Sequence, residues 1–147
     1  MTTVKILLIN GPNLNLLGLR EPDIYGTQSY AQLIDFIKRS ALELELEVDC
    51  FQSNHEGAIV DAIQAAYGKY DGIIINPAAY THTSIAILDA LKAVALPAVE
   101  VHLSAVEKRE AFRQVSYAGL ACLKSFSGQG AQGYREAMCF LKQYLVD

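Results

Sequence analysis

The residues able to do chemistry in this chain fall into a few short stretches. Asn13, Asn15, Arg20 and Tyr25 share one loop rich in Gly, Pro and Asn, where a guanidinium beside a phenol would favour phenolate. A free phenol ionises near pH 10, so a tyrosine base at neutral pH needs its phenolate stabilised by about 4 kcal/mol. Packing of Tyr25 and Gly26 within the loop is the alternative. Glu100 and His102 stand two residues apart. On a strand they share a face, so the carboxylate can orient the imidazole and support its protonated form, which suits a proton donor. A core histidine with a satisfied hydrogen bond is the competing reading. His82 lies in the hydroxyl-rich run Thr81-His82-Thr83-Ser84, where substrate binding competes with plain helix capping. Leu103 and Ser104 are expected to open a helix, whose N–H groups with the Ser104 hydroxyl would hold a carboxylate or phosphate. Ser104 can equally serve as the N-cap alone. Arg109 and Arg113, one turn apart in that helix, would add a cationic wall, although a solvated face suits Arg109 better. His55 reads as exposed and carries no role.

Other signals lead away from chemistry. Gly128-Gln129-Gly130-Ala131-Gln132-Gly133 fits the dinucleotide fingerprint, but no following strand completes a βαβ unit and no ribose-binding acid follows. A tight turn with close helix packing explains these glycines better. Three widely separated histidines, without H-E-x-x-H or a carboxylate cluster, argue against a catalytic metal. No G-x-S-x-G elbow points to a serine hydrolase. Cys50, Cys122 and Cys139 have neither CxxC nor zinc-like spacing, which suggests buried free thiols in a reducing cytoplasm.

Elements of regular alternation must position these groups. Strands are expected at 4–9, 47–52, 72–75, 98–101 and 120–126. Three capping boxes, Ser29-x-x-Gln32, Ser53-x-x-Glu56 and Ser104-x-x-Glu107, mark helix starts, and Gly68 stops the second helix. A last helix carries Tyr134, Ala137, Met138, Leu141 and Leu145. The connection after the first strand runs to about 18 residues, where strand-to-helix loops usually take 2 to 6, so it reads as a lid or binding loop. The chain's 147 residues fit one domain, 1–147. Hydrophobic residues make up 52%, enough for a sheet covered on both faces, and 19% charged residues give no sign of disorder. The fold class expected is α/β, flavodoxin-like, a five-stranded parallel sheet of order 2-1-3-4-5 with helices on both faces. In that order the ends of strands 1, 3 and 4 converge on one crevice, bringing Asn13, Asn76, His82, His102 and Ser104 together. A net charge of −4 argues against nucleic acid as a partner. No apolar stretch is long enough to cross a bilayer and no signal-peptide pattern opens the chain, so a cytoplasmic protein is expected. The alternative to an enzyme is a flavodoxin-like module binding a small molecule without catalysis.

Several of these runs together resemble a family. Gly11-Pro12-Asn13-Leu14-Asn15-Leu16-Leu17-Gly18, Arg20-Glu21-Pro22, Tyr25-Gly26, Gln52-Ser53-Asn54-His55-Glu56-Gly57, Asn76-Pro77-Ala78-Ala79-Tyr80-Thr81-His82-Thr83-Ser84 and Glu100-Val101-His102-Leu103-Ser104 are similar to type II 3-dehydroquinate dehydratase. The match is in order from about Lys5 to Leu145. The resemblance implies dehydration of 3-dehydroquinate to 3-dehydroshikimate, the third step of the shikimate pathway, by anti elimination through an enolate. It implies no cofactor and a homododecamer built from four trimers. It makes Tyr25 the base at C2, with Arg20 lowering its pKa. Asn13 would help hold the enolate through a water, and His102, oriented by Glu100, would protonate the departing C1 hydroxyl. Asn76, Leu103 and Ser104 would bind the carboxylate and its neighbouring hydroxyl, His82 and Arg113 the ring hydroxyls, and Asp89 would reach a neighbouring subunit's site. Two positions depart from the family pattern. Ala105 stands where Asn is usual, and Leu88 stands where Arg is frequent.

Overall fold

A computed structural model of the chain describes residues 3–19 and 28–147. Arg20 and Tyr25 lie outside the described residues. Five parallel strands form one sheet: β1 (Lys5–Asn10), β2 (Glu47–Gln52), β3 (Gly72–Asn76), β4 (Ala98–His102) and β5 (Lys124–Ser127). Their order is β2-β1-β3-β4-β5, the flavodoxin-like order expected. Among the described residues four α-helices complete it: α1 (Tyr30–Glu43), α2 (Glu56–Ala66), α3 (Ile85–Val94) and α4 (Gln132–Val146).

The strand alternation sorts the core into two layers. Ile6 and Leu8 of β1, with Ile74, Val99 and Val101, pack under Leu33 and Ile37 of α1 and Tyr134, Ala137, Met138 and Leu141 of α4. Leu7 and Ile9, with Ile73, Ile75 and Ala98, pack under Ile59 and Ile63 of α2 and Ile87 and Leu91 of α3. Glu100 and His102 alternate with Val99 and Val101, so they share the face of Ala98.

Helix entry follows the sequence at α1. Ser29 Oγ accepts from Gln32 N–H at 3.1 Å, and Gln32 Oε1 accepts from Ser29 N–H at 2.8 Å, a complete capping box. The other two expected boxes do not form. At Ser53 the hydroxyl accepts from His55 N–H at 3.0 Å, a local turn that spends it ahead of α2. After β4 no α-helix follows Ser104. The Ser104 carbonyl, which as an N-cap would accept the first helical bond, instead accepts from Gly128 N–H at 3.2 Å. Three short 3-10 turns replace the helix, at Val106–Lys108, Ala111–Arg113 and Ala118–Ala121. Ala105, the departure from the family pattern, precedes the first of them and makes no side-chain cap bond.

The fifth strand is shorter than expected. It starts at Lys124, not at 120, and Leu120 is 70% exposed in a 3-10 turn. The ladder to β4 opens with Leu123 N–H donating to Ala98 O at 2.8 Å.

Candidate active site

The carboxyl ends of β1, β3 and β4 meet in one crevice, as ligand sites in open α/β sheets do. Pro12, Asn13, Asn76, His82, His102, Leu103, Ser104, Arg109 and Arg113 are among its lining residues. Of the residues expected there, Asn13, Asn76, His82, His102, Leu103, Ser104 and Arg113 are therefore brought together, with Glu100 directly beneath. Asp89 is exposed on α3 and does not line this crevice. Arg109 belongs to the lining, against the solvated-face reading, because the 3-10 turns fold the 106–113 segment over the crevice.

Each wall has a local cause. At β1 and β3 the two chains nearly touch: a Cβ on Gly11 would stand 2.5 Å from the Pro77 carbonyl oxygen, so no larger residue fits. Gly11 N–H donates to Asn76 O at 2.8 Å. Asn13 then turns with φ 69°, a left-handed conformation that asparagine tolerates better than most residues. Its N–H donates to Asn54 Oδ1 at 3.0 Å, and Gln52 Nε2 donates to Gly11 O at 3.1 Å. Gln52 and Asn54, which sequence reasoning gave no role, thus brace the β1 loop. Ala78 also has φ 53°, a costly conformation for alanine, and its N–H is held by Asn76 Oδ1 at 3.1 Å.

Under this wall lies a buried polar chain. Asn76 Nδ2 donates to the Tyr134 hydroxyl at 2.9 Å, which donates to Asn10 Oδ1 at 2.6 Å. Asn10 Nδ2 donates onward to the Tyr30 hydroxyl at 3.3 Å. Burial pushes the Tyr134 phenol strongly upward, and burial raises Tyr30 as well. Neither phenol is suited to act as a base at neutral pH.

At β4, His102 Nε2 donates to Glu100 Oε2 at 2.8 Å, with Glu100 2% and His102 5% exposed. Burial by itself would raise the Glu100 pKa. The hydrogen bond and charge of His102, then hydrogen bonds from Ser116 and Thr81, outweigh burial and hold it at about 2. The carboxylate is ionised throughout the working range. His82 Nδ1 lies 2.8 Å from Val115 O. A carbonyl only accepts, so Nδ1 carries a hydrogen. Arg113 is paired with Glu110.

The glycine run does what a tight turn does. Gly128 and Gly130 have φ 79° and 58°. Gly128 N–H donates to Ser104 O and Gly130 N–H to Leu103 O, at 3.2 and 3.1 Å. A Cβ on Gly128 would stand 3.1 Å from the Ala105 Cβ. The loop thus clamps the 103–105 segment at the crevice edge. Leu103 and Ser104 remain at the crevice, but not at an α-helix N-terminus.

Among the described residues no group of three His, Cys, Asp or Glu side chains could hold a metal, and no helix is long and apolar enough to cross a membrane. Cys50, Cys122 and Cys139 are free and partly buried. Burial pushes Cys50 up to about 11 and Cys122 up to about 12, so both are neutral thiols at pH 7.

Comparison with known proteins agrees with this geometry. The model of the family described as Dehydroquinase class II matches residues 4–142. A 3-dehydroquinate dehydratase of Clostridium perfringens is 58% identical over 143 residues, spanning 97% of this chain and 98% of that one. The crystal structure of type II dehydroquinase from Butyrivibrio crossotus superposes with a TM-score of 0.93 at 50% identity, covering 95% of this chain and 98% of that one. The type II dehydroquinase from Propionibacterium acnes gives 0.89 at 36% identity, covering 99% and 100%.

Proposed function

Because this chain belongs to the class II dehydroquinase family, we propose that it dehydrates 3-dehydroquinate to 3-dehydroshikimate, the third step of the shikimate pathway. The observation that carries this reading is the buried Glu100–His102 pair at the rim of a crevice lined by Arg109 and Arg113. An anionic substrate is drawn to such a wall, and a carboxylate-supported imidazole is a proton donor.

The reaction needs a proton taken from C2, next to the ketone, and a hydroxyl lost from C1. Tyr25 is the base, and Arg20, in the same stretch of sequence, lowers its pKa. The other phenols near the crevice support that assignment by exclusion, since Tyr134 and Tyr30 are held protonated and the Tyr80 hydroxyl donates to Asn54 O. Proton removal gives an enolate, which Asn13 helps hold through a water. His102 then protonates the C1 hydroxyl as it leaves, on the face opposite the base, with Glu100 orienting the imidazole. Asn76, Leu103 and Ser104 take the carboxylate and its neighbouring hydroxyl. His82 and Arg113 take the ring hydroxyls. No cofactor is required, because the ketone itself stores the electron pair. The test is direct. Protein mixed with 3-dehydroquinate should develop the absorbance of the conjugated enone. Absence of that product under conditions where the protein is folded would refute the reading.

The working form is a homododecamer of four trimers in the cytoplasm, with one catalytic domain spanning 1–147 in each subunit. Asp89, exposed on α3 and away from its own crevice, completes a neighbour's site. Light scattering should give a large symmetric particle, and Asp89→Ala should reduce turnover. A fully active monomer at assay concentration would rule the shared site out.

A further inference from the structure

Two hydroxyls without a part in the chemistry above converge on a single oxygen. Thr81 Oγ1 donates to Glu100 Oε2 at 2.7 Å, and Ser116 Oγ donates to that same atom. It is the atom to which His102 Nε2 donates. The hydroxyl oxygens are themselves 2.6 Å apart; with one proton each they fill two of these three contacts, so at least one donates to the carboxylate directly and the other either does the same or donates to its partner. They come from distant segments: Thr81 from the 3-10 turn Ala78–His82 after β3, Ser116 from the stretch just before Ala118–Ala121. Thr81 is 1% exposed, so its hydroxyl cannot be a solvated surface group.

The surrounding chain is shaped to the carboxylate. Gly119 N–H donates to Ser116 Oγ at 3.1 Å. A Cβ on Gly119 would stand 2.8 Å from Glu100 Oε1, so the space that glycine leaves is the space the carboxylate fills. Tyr117 N–H donates to Thr81 O at 2.7 Å, tying the two hydroxyl-bearing segments together.

A buried carboxylate beside an imidazole has two low-energy states. Either both groups are charged, or the proton moves to the carboxylate and both are neutral. Hydroxyl donors stabilise the charged carboxylate only. We propose, given that His102 is the general acid, that Thr81 and Ser116 are positioning residues for the reaction. Their hydroxyls hold Glu100 as an oriented anion, so that Nε2 of His102 stays on the glutamate and Nδ1 serves the substrate hydroxyl. Few other charges bear on Glu100 among the described residues. Cys122, following the Ala118–Ala121 turn, is kept a neutral thiol by burial and by the Glu100 charge. His82, Arg109 and Arg113 line the crevice that His102 also lines.

The test compares Thr81→Val, Ser116→Ala and their double with Thr81→Ser, in the whole protein. The Glu100 carboxyl is followed by 13C NMR and kcat and KM for 3-dehydroquinate are followed against pH. Loss of both hydroxyls removes at least one charge-assisted hydrogen bond and should raise the Glu100 midpoint by at least about one pH unit. At neutral pH kcat should fall about tenfold, and KM should stay within about twofold. Thr81→Ser keeps the hydroxyl and should retain the parent profile. An unchanged Glu100 midpoint, or equal losses in Thr81→Ser and Thr81→Val at every pH, would overturn the proposal. Ser116→Ala supplies the same readout should Thr81→Val fail to fold. A parent protein that turns over no 3-dehydroquinate would refute the functional reading instead, while the Glu100 titration still decides the role of the hydroxyls.

Discussion

Tyr25→Phe is expected to lower kcat by about a thousandfold or more, while substrate still binds, since general acid–base groups contribute roughly a hundred- to ten-thousandfold. Phenylalanine keeps the ring and removes the one ionisable group. The C2 proton must go to a group ionised at working pH, and the described phenols near the crevice are held protonated by burial or act as hydrogen-bond donors. Arg20→Ala should reduce kcat severely as well. It should also move the acid limb of kcat to higher pH, because a tyrosine without its cationic neighbour loses its proton later. The cost should fall on kcat more than on KM, since phenolate and guanidinium act on the transition state. Steady-state kinetics of both variants from pH 5 to 10 decide the matter. Near-parent kcat in Tyr25→Phe would require a different base in the crevice.

The second large effect belongs to His102. His102→Ala should cost about a hundred- to ten-thousandfold in kcat, because the C1 hydroxyl then leaves without a proton. Glu100→Gln should cost less, since glutamine still accepts from Nε2 but carries no charge to support an imidazolium. Glu100 also gives a pH signature for stability. Its folded pKa of about 2 lies below the ordinary value of 4.5, so the stability it contributes is fully present above that ordinary value. It is lost as pH falls through about 2. Thermal melts of Glu100→Gln should therefore differ most from the parent above pH 5 and converge with it in strong acid. A constant difference down to pH 2 would mean that Glu100 is not the ionised partner described, and unchanged kcat in His102→Ala would displace it as the acid.

Much of this molecule could be read from residue order because the controlling forces are local. Ile6, Leu7, Leu8 and Ile9 are apolar without a break, which only a strand covered on both faces explains, and both faces of β1 are covered. Ser29 and Gln32 carry their capping box in four residues. Once five strands alternate with helices, the sheet order and the meeting of β1, β3 and β4 follow from a small set of allowed topologies. The pairing of Glu100 with His102 needed only the two-residue period of a strand.

What followed β4 was not legible, because its cause is remote. Ser104-x-x-Glu107 is a sound local signal for a helix. It fails because Gly128, 24 positions away in the sequence, takes the Ser104 carbonyl. The same tertiary bond turns the 106–113 segment inward and puts Arg109 on the crevice wall. Residues 120–123 look like strand by composition, but the chain up to Ala121 is taken into a 3-10 turn, and its first bond to β4 comes only from Leu123 N–H to Ala98 O. Thr81 and Ser116 gave no signal at all, since a threonine in a turn and a serine in a loop are ordinary. Their meaning comes from one carboxylate oxygen that only the folded chain brings within reach of both. Periodicity and caps act within a few residues and can be read from order alone. The occupancy of a particular carbonyl or carboxylate is settled by whichever distant group arrives, and that is decided by the packed structure.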